Sequence, residues 1–179
     1  MAFDYAIAAA RAFPDDASVL TLLMMNPISL DEGGSVFIPA GTPHAYIQGT
    51  GAEIMTNSDN VLRGGLTAKH IDVDALLHVV DFAPGSNDVL LPSGSDGTYI
   101  YPTSFEEFEL WLLQPTDGDT LQLPRGDSGR ICLVASGSFE LTSDADPIGL
   151  TAGHAVFVAA EEAVVARGEG RLFVAATGV

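Results

Sequence analysis

The chain is poor in cysteine, in positive charge and in long apolar runs, and each shortage closes off a class of function. A single cysteine, Cys132, stands among 179 residues, so no internal disulfide can form. It lies in the apolar run Ile131-Cys132-Leu133-Val134, where a buried, inert thiol is expected rather than a nucleophile, and redox chemistry is not supported. Lys and Arg number 7 against 24 Asp and Glu, for a formal net charge of −17 and a pI near 4.1. Such a chain repels nucleic-acid phosphates and anionic membranes, and no basic cluster offsets it, so no nucleic-acid or membrane partner is expected. No run of about 18 apolar residues exists to span a bilayer. The Ala-rich N-terminus lacks a basic start followed by a long apolar run, so it does not read as a signal peptide, and a cytoplasmic protein is expected.

What is present suits a globular fold: 47% of residues are apolar and 17% charged, enough for one compact core or two small ones. Residues 2–13 place Phe3, Ile7 and Ala10 at helical spacing before Pro14, which predicts a short amphipathic helix. From Ser18 the pattern turns to strands and turns, with strands expected over Val19–Met25, Ser35–Ile38, His44–Gln48 and Ala52–Thr56. Asp72 can cap a helix whose Val73, Leu76, Leu77 and Val80 fall on one face; this helix reads as a bridge between two halves. Beyond it, strands are expected over Phe105–Leu113, Thr120–Leu123, Arg130–Ala135, Ser138–Thr142, His154–Ala159 and Arg171–Ala176, separated by Gly and Asp turns, as in a sandwich or barrel.

One run concentrates chemistry: Gly33-Gly34-Ser35-Val36-Phe37-Ile38-Pro39-Ala40-Gly41-Thr42-Pro43-His44-Ala45-Tyr46. Pro39-Ala40-Gly41 forms a turn in which Gly takes a positive φ, and His44 begins the returning segment. The spacing of Gly33, Pro39, Gly41 and His44 resembles a motif of the cupin β-barrels, where the histidine points inward as a metal ligand. Ala152-Gly153-His154-Ala155-Val156-Phe157-Val158-Ala159-Ala160 echoes the turn-then-strand pattern, but Glu161, Glu162, Ala163 and Val164 stand where the first copy brings in its histidine. The echo therefore reads as a second, metal-free cupin-like barrel, with His154 on the surface.

Downstream, Ser58-Asp59-Asn60-Val61-Leu62-Arg63 leads into Gly64-Gly65-Leu66-Thr67-Ala68-Lys69. Together with Pro43-His44-Ala45-Tyr46 this resembles the type I phosphomannose isomerases, zinc enzymes that interconvert mannose 6-phosphate and fructose 6-phosphate. The resemblance is specific from about Phe13 to Phe82 and weaker onward through Tyr101-Pro102. It implies a mainly β chain of jelly-roll barrels with a few short helices: residues 1–83 form the C-terminal part of a catalytic cupin barrel plus a linking helix, and residues 84–179 a second barrel. It also implies that His44 is one of four zinc ligands, that Arg63 is catalytic at the reacting end of the sugar phosphate, and that Tyr46, Glu53, Asp59 and Lys69 line the substrate pocket, with Asp59 and Arg63 paired across one loop. The chain departs from the family at Ala68, where Pro is common, and at Gly64, where Ala is, changes that alter loop stiffness around Lys69.

The implied chemistry suits these residue types. Moving a proton between adjacent carbons through an enediolate builds negative charge that zinc and a guanidinium stabilise. Glu53 and Asp59 are both candidates for the base, and each reads equally as an ion-pair partner of Arg63 or Lys69. The family draws its other zinc ligands, a glutamine, a histidine and a glutamate, from an upstream segment whose Gln-x-His and Asn-His-Lys-Pro-Glu elements this sequence lacks. The chain is therefore expected to be the C-terminal portion of the enzyme, inactive alone, with the missing N-terminal segment as its partner. Two other readings stay open. One is a non-catalytic cupin module that holds a sugar phosphate or another anion; the other is an assembly domain that self-associates through unpaired barrel edges.

Overall fold

The computed structural model describes residues 2–178 apart from Asp59, Ser86, Asn87, Asp117 and Arg125. The chain divides into two compact units, one of Met1–Glu32, Val36–Gly51 and Asn57–Val89, the other of Gly33–Ser35, Ala52–Thr56 and Leu90–Val179.

The first unit is built on helices. Helix α1 (Ala2–Ala12) packs on a 3₁₀ helix over Ala17–Met24, and Ala6, Ala9 and Leu22 are buried. This 3₁₀ helix replaces the strand expected over Val19–Met25. A short apolar run reads equally as buried strand or helix, and Asp16 decides the matter: its carboxylate caps the turn by accepting from the Ser18 amide at 2.9 Å. Helix α2 (Val73–Val79) starts where expected, with Asp72 accepting from the Ala75 amide at 2.9 Å.

The strands expected at Ser35–Ile38, His44–Gln48 and Ala52–Thr56 do not form. Ser35 makes one antiparallel bridge to Leu90, with N–H···O distances of 2.9 and 2.8 Å, and the remainder of these segments is non-repetitive backbone. Side-chain alternation marks a candidate strand, but a strand exists only where a neighbour takes up its N–H and C=O groups. No neighbouring strand lies beside these segments among the described residues.

The second unit is one eight-stranded antiparallel sheet: β1 (Ser93–Ser95), β2 (Thr98–Ile100), β3 (Glu109–Leu113), β4 (Thr120–Gln122), β5 (Arg130–Thr142), β6 (Ile148–Thr151), β7 (Ala155–Val158) and β8 (Val165–Ala176). The long strands β5 and β8 pair along their whole length. The other edge of β8 carries β3 and β4, and the other edge of β5 carries β6 and β7. A two-residue turn, Asp96-Gly97, joins β1 to β2; both residues have positive φ (52° and 79°), the mirror-image turn that matches strand twist.

Strand β5 unites two strands expected separately, Arg130–Ala135 and Ser138–Thr142. Its register against β8 slips between Val134 and Ser136, so Ala135 is an extra residue. Before the slip, the even positions Arg130, Cys132 and Val134 are buried; after it, the odd positions Phe139 and Leu141 are. Without the bulge, one half of the strand would turn its apolar side chains outward.

These side chains join Leu113, Leu123, Leu150, Val158, Val164, Ala166, Leu172 and Val174 in one core. Burial pushes the Cys132 thiol up to about 12, against a weaker opposing pull from Arg130, as expected for an inert core thiol. Arg130 is itself buried. Its guanidinium donates to the carbonyls of Pro124 (2.7 Å), Ala159 (3.0 Å) and Glu162 (2.6 Å), tying together the loop after β4 and the turn between β7 and β8. Among the described residues, no helix is long and apolar enough to cross a membrane.

Candidate functional site

In the first unit, the Thr42 amide donates to the Pro39 carbonyl at 3.2 Å and Gly41 takes φ +80°, closing the turn that the sequence predicts. The C-terminal end of α2 holds this turn. The Asp81 amide donates to the Gly41 carbonyl at 2.9 Å, and a Cβ at Gly41 would lie 2.8 Å from the Val79 carbonyl oxygen. His44 follows, exposed, with its Nδ1 3.0 Å from the Thr42 carbonyl. A carbonyl only accepts, so Nδ1 is the donor in this contact, and Nε2 is the ring nitrogen it does not use. Tyr46, two residues on, meets the His44 ring edge-on with centroids 5.9 Å apart.

Arg63 and Lys69 are exposed at either end of a second loop in the same unit. Leu76 of α2 lies beside the loop at Gly64, where an added Cβ would meet it at an ordinary 3.7 Å, so alanine would fit there. Midway along the loop, Leu66 holds φ +52°, and its amide donates to Asp16 Oδ2 at 2.9 Å and to Ser18 Oγ at 3.1 Å. The Ser18 hydroxyl and amide both donate to Asp16 Oδ1. Hydrogen bonds from the Ser18 side chain first, then from the Ser18 and Leu66 amides, hold the Asp16 carboxyl below its ordinary range. At Gly65 a Cβ would collide with the Ser18 side chain, so only glycine lets the loop come this close. The Lys69 amide donates to Thr67 Oγ1 at 3.1 Å.

The sequence singled out neither Asp16 nor Ser18, although an Asp two residues before a Ser amide is a recognisable Asx-turn signal. Glu53, exposed, belongs to the second unit. Asp59, and with it the expected Asp59–Arg63 pair, lies outside the described residues.

A structural or catalytic zinc takes at least three protein ligands. His44 offers one, with its Nδ1 engaged by a carbonyl as the second nitrogen of a metal-bound imidazole commonly is. Among the described residues, no three His, Cys, Asp or Glu side chains come together to hold a metal, so these residues alone do not fit a zinc site.

The Escherichia coli mannose-6-phosphate isomerase is 35% identical over 163 residues, 89% of this chain, and the Salmonella typhimurium protein of the same name is 36% identical over 168 residues. A crystal structure of mannose 6-phosphate isomerase from Salmonella typhimurium, bound to substrate and zinc, superposes with a TM-score of 0.85 over 99% of this chain at 31% identity. The chain belongs to the mannose-6-phosphate isomerase family. It corresponds to the C-terminal portion of that family and spans 41% of the length of the Escherichia coli and Salmonella relatives. A plant mannose-6-phosphate isomerase, from Arabidopsis thaliana, is 29% identical over 94% of the chain. The fold is the mainly β cupin fold of phosphomannose isomerase. No family model matches the chain.

Proposed function

We propose that the chain is the C-terminal part of a zinc-dependent aldose-ketose isomerase acting on mannose 6-phosphate and fructose 6-phosphate in the cytoplasm, with Arg63 as its catalytic cation. The observation that carries this reading is that both motifs lie beside one element: the chain leaving α2 holds the turn before His44 through the Asp81 amide, and Leu76 of α2 lies next to Gly64, the residue after Arg63. In this reading the Arg63 guanidinium stabilises negative charge growing on the sugar oxygens, while Lys69 and Tyr46 bind the substrate. Glu53 and Asp59 remain the candidates for moving the proton.

The zinc site is completed by a segment outside this sequence, to which His44 adds one ligand. Two features of the first unit support such a partner. Phe3, Leu20, Met24, Val73, Leu77 and Phe82 are large apolar side chains left more than half exposed, and the segments around His44 have strand-like sequences without a ladder. By itself the chain is expected to bind sugar phosphate weakly through Arg63 and Lys69 and not to turn it over. That partial activity is what the anion-binding alternative describes, and the absence of a three-ligand cluster among the described residues favours it for the isolated chain.

The test is conversion of mannose 6-phosphate to fructose 6-phosphate with zinc supplied, by the chain alone and after addition of the upstream segment of a relative. No turnover alone is expected, and restored turnover with the segment should fall by about a hundredfold or more in Arg63→Ala. A reconstituted complex that folds and binds zinc yet stays inactive would overturn the reading.

A further inference from the structure

We propose that Asp16 is a positioning residue for the loop bearing Arg63 and Lys69, fixing its shape through the Leu66 amide; the proposal rests on the reading above that these two cations meet a sugar phosphate. Leu66 is the midpoint of that loop, three positions from each cation. Its positive φ is one that side chains other than glycine avoid, so the loop needs an external hold to stay there. That hold comes from 50 residues earlier in the chain.

Both carboxylate oxygens of Asp16 are committed. Oδ1 takes the Ser18 amide and hydroxyl, and Oδ2 takes the Leu66 amide. The Ser18 hydroxyl gives its proton to Asp16 and uses a lone pair on the same Leu66 N–H, so the three residues close a ring of mutually consistent donors and acceptors. The depressed Asp16 carboxyl agrees with this arrangement. A carboxylate does two separable jobs here: one oxygen starts the 3₁₀ helix and the other fastens the loop. Fixed cations meet an anionic ligand without first losing the freedom of a mobile loop, which is why a residue that never touches the ligand governs its affinity.

The separability of the two jobs supplies the test. Asp16→Ser keeps a good capping oxygen for the Ser18 amide but has no second oxygen to reach Leu66. Amide hydrogen exchange at Leu66, and fructose 6-phosphate titration followed by amide chemical shifts, are measured in the intact chain beside Arg63→Ala. Expected in Asp16→Ser are Leu66 exchange about tenfold faster or more and sugar-phosphate affinity about tenfold weaker, with exchange in the 3₁₀ helix unchanged. Unchanged Leu66 exchange would remove the clamp. Faster exchange with wild-type affinity, in the presence of an Arg63→Ala defect, would remove the positioning role and leave the functional reading intact. No binding by the wild-type chain, or binding indifferent to Arg63→Ala, would instead sink the functional reading and this proposal with it.

Discussion

The two units differ in what each supplies for itself. The second pairs its strands with one another and closes twelve buried side chains into a single core. Among the described residues, the first buries only Ala6, Ala9 and Leu22 and has no named strand, yet it carries His44, Arg63 and Lys69. Self-sufficient packing and most of the proposed site residues have separated, Glu53 excepted. The unit with most of the proposed site residues is held by small devices instead: an Asx cap, a helix terminus against a glycine turn, and a carboxylate on a loop amide. Such devices fix geometry over a few residues but bury little area, so the first unit should be shaped well and stabilised poorly.

Core truncation tests that contrast most severely. Leu172→Ala, at a position with no solvent exposure in β8, should cost about 2–5 kcal/mol in urea unfolding. Leu22→Ala in the first unit should cost roughly 1 kcal/mol. Equal losses would mean that the first unit has a core of comparable worth. An effect smaller than that of Leu172→Ala, and more local, is expected from Gly41→Val. The new side chain would have to accept φ +80° and push against the Val79 carbonyl, costing about 1–3 kcal/mol. Amide shifts should change at His44 and at the end of α2 while the sheet stays as it is; changes spread through β5 and β8 would erase the distinction between the units.

The mildest test uses pH. The folded Cys132 thiol holds its proton to about 12 because it is buried, whereas an unfolded chain releases it near the ordinary value of 9.0. Below pH 9 both states keep the proton and this group's contribution is intact. Between about 9 and 12 the unfolded state binds fewer protons, so stability falls as pH rises. Alkylation at pH 8 should accordingly proceed only at the rate at which the second unit opens. Rapid labelling of the native chain would show that its core is looser than its packing implies.

The sequence makes the second unit easier to read than the first, and particular residues show why. Strands β3, β5, β7 and β8 carry apolar runs, and each buries part of its run in the core, so pattern and structure agree. Helix α2 announces itself through the Asp72 cap, and the Pro39–Thr42 turn through its glycine. The β1–β2 hairpin is not among the expected elements, although Asp96-Gly97 is a strong turn signal. In the first unit, Ser35–Ile38 and His44–Gln48 have the composition of strands, but pairing depends on a neighbour that local sequence does not reveal. Asp16 escapes the sequence for a related reason: its cap is a local signal, while its bond to Leu66 joins residues 50 apart.

The extra residue at Ala135 works on β5 as a single inserted letter works on a text read in pairs. It resets which side chains are read as inside for everything before it. Deleting it would not shorten the strand so much as change its frame, bringing Ile131 and Leu133 inward and sending Cys132, Val134 and the thrice-bonded Arg130 toward solvent. A compensating deletion on β8 would mend the pairing of the two strands but shift the frame of β8 in turn. In this part of the fold, length is a heritable constraint as strict as composition, and the sheet tolerates substitution far more readily than the loss of one residue.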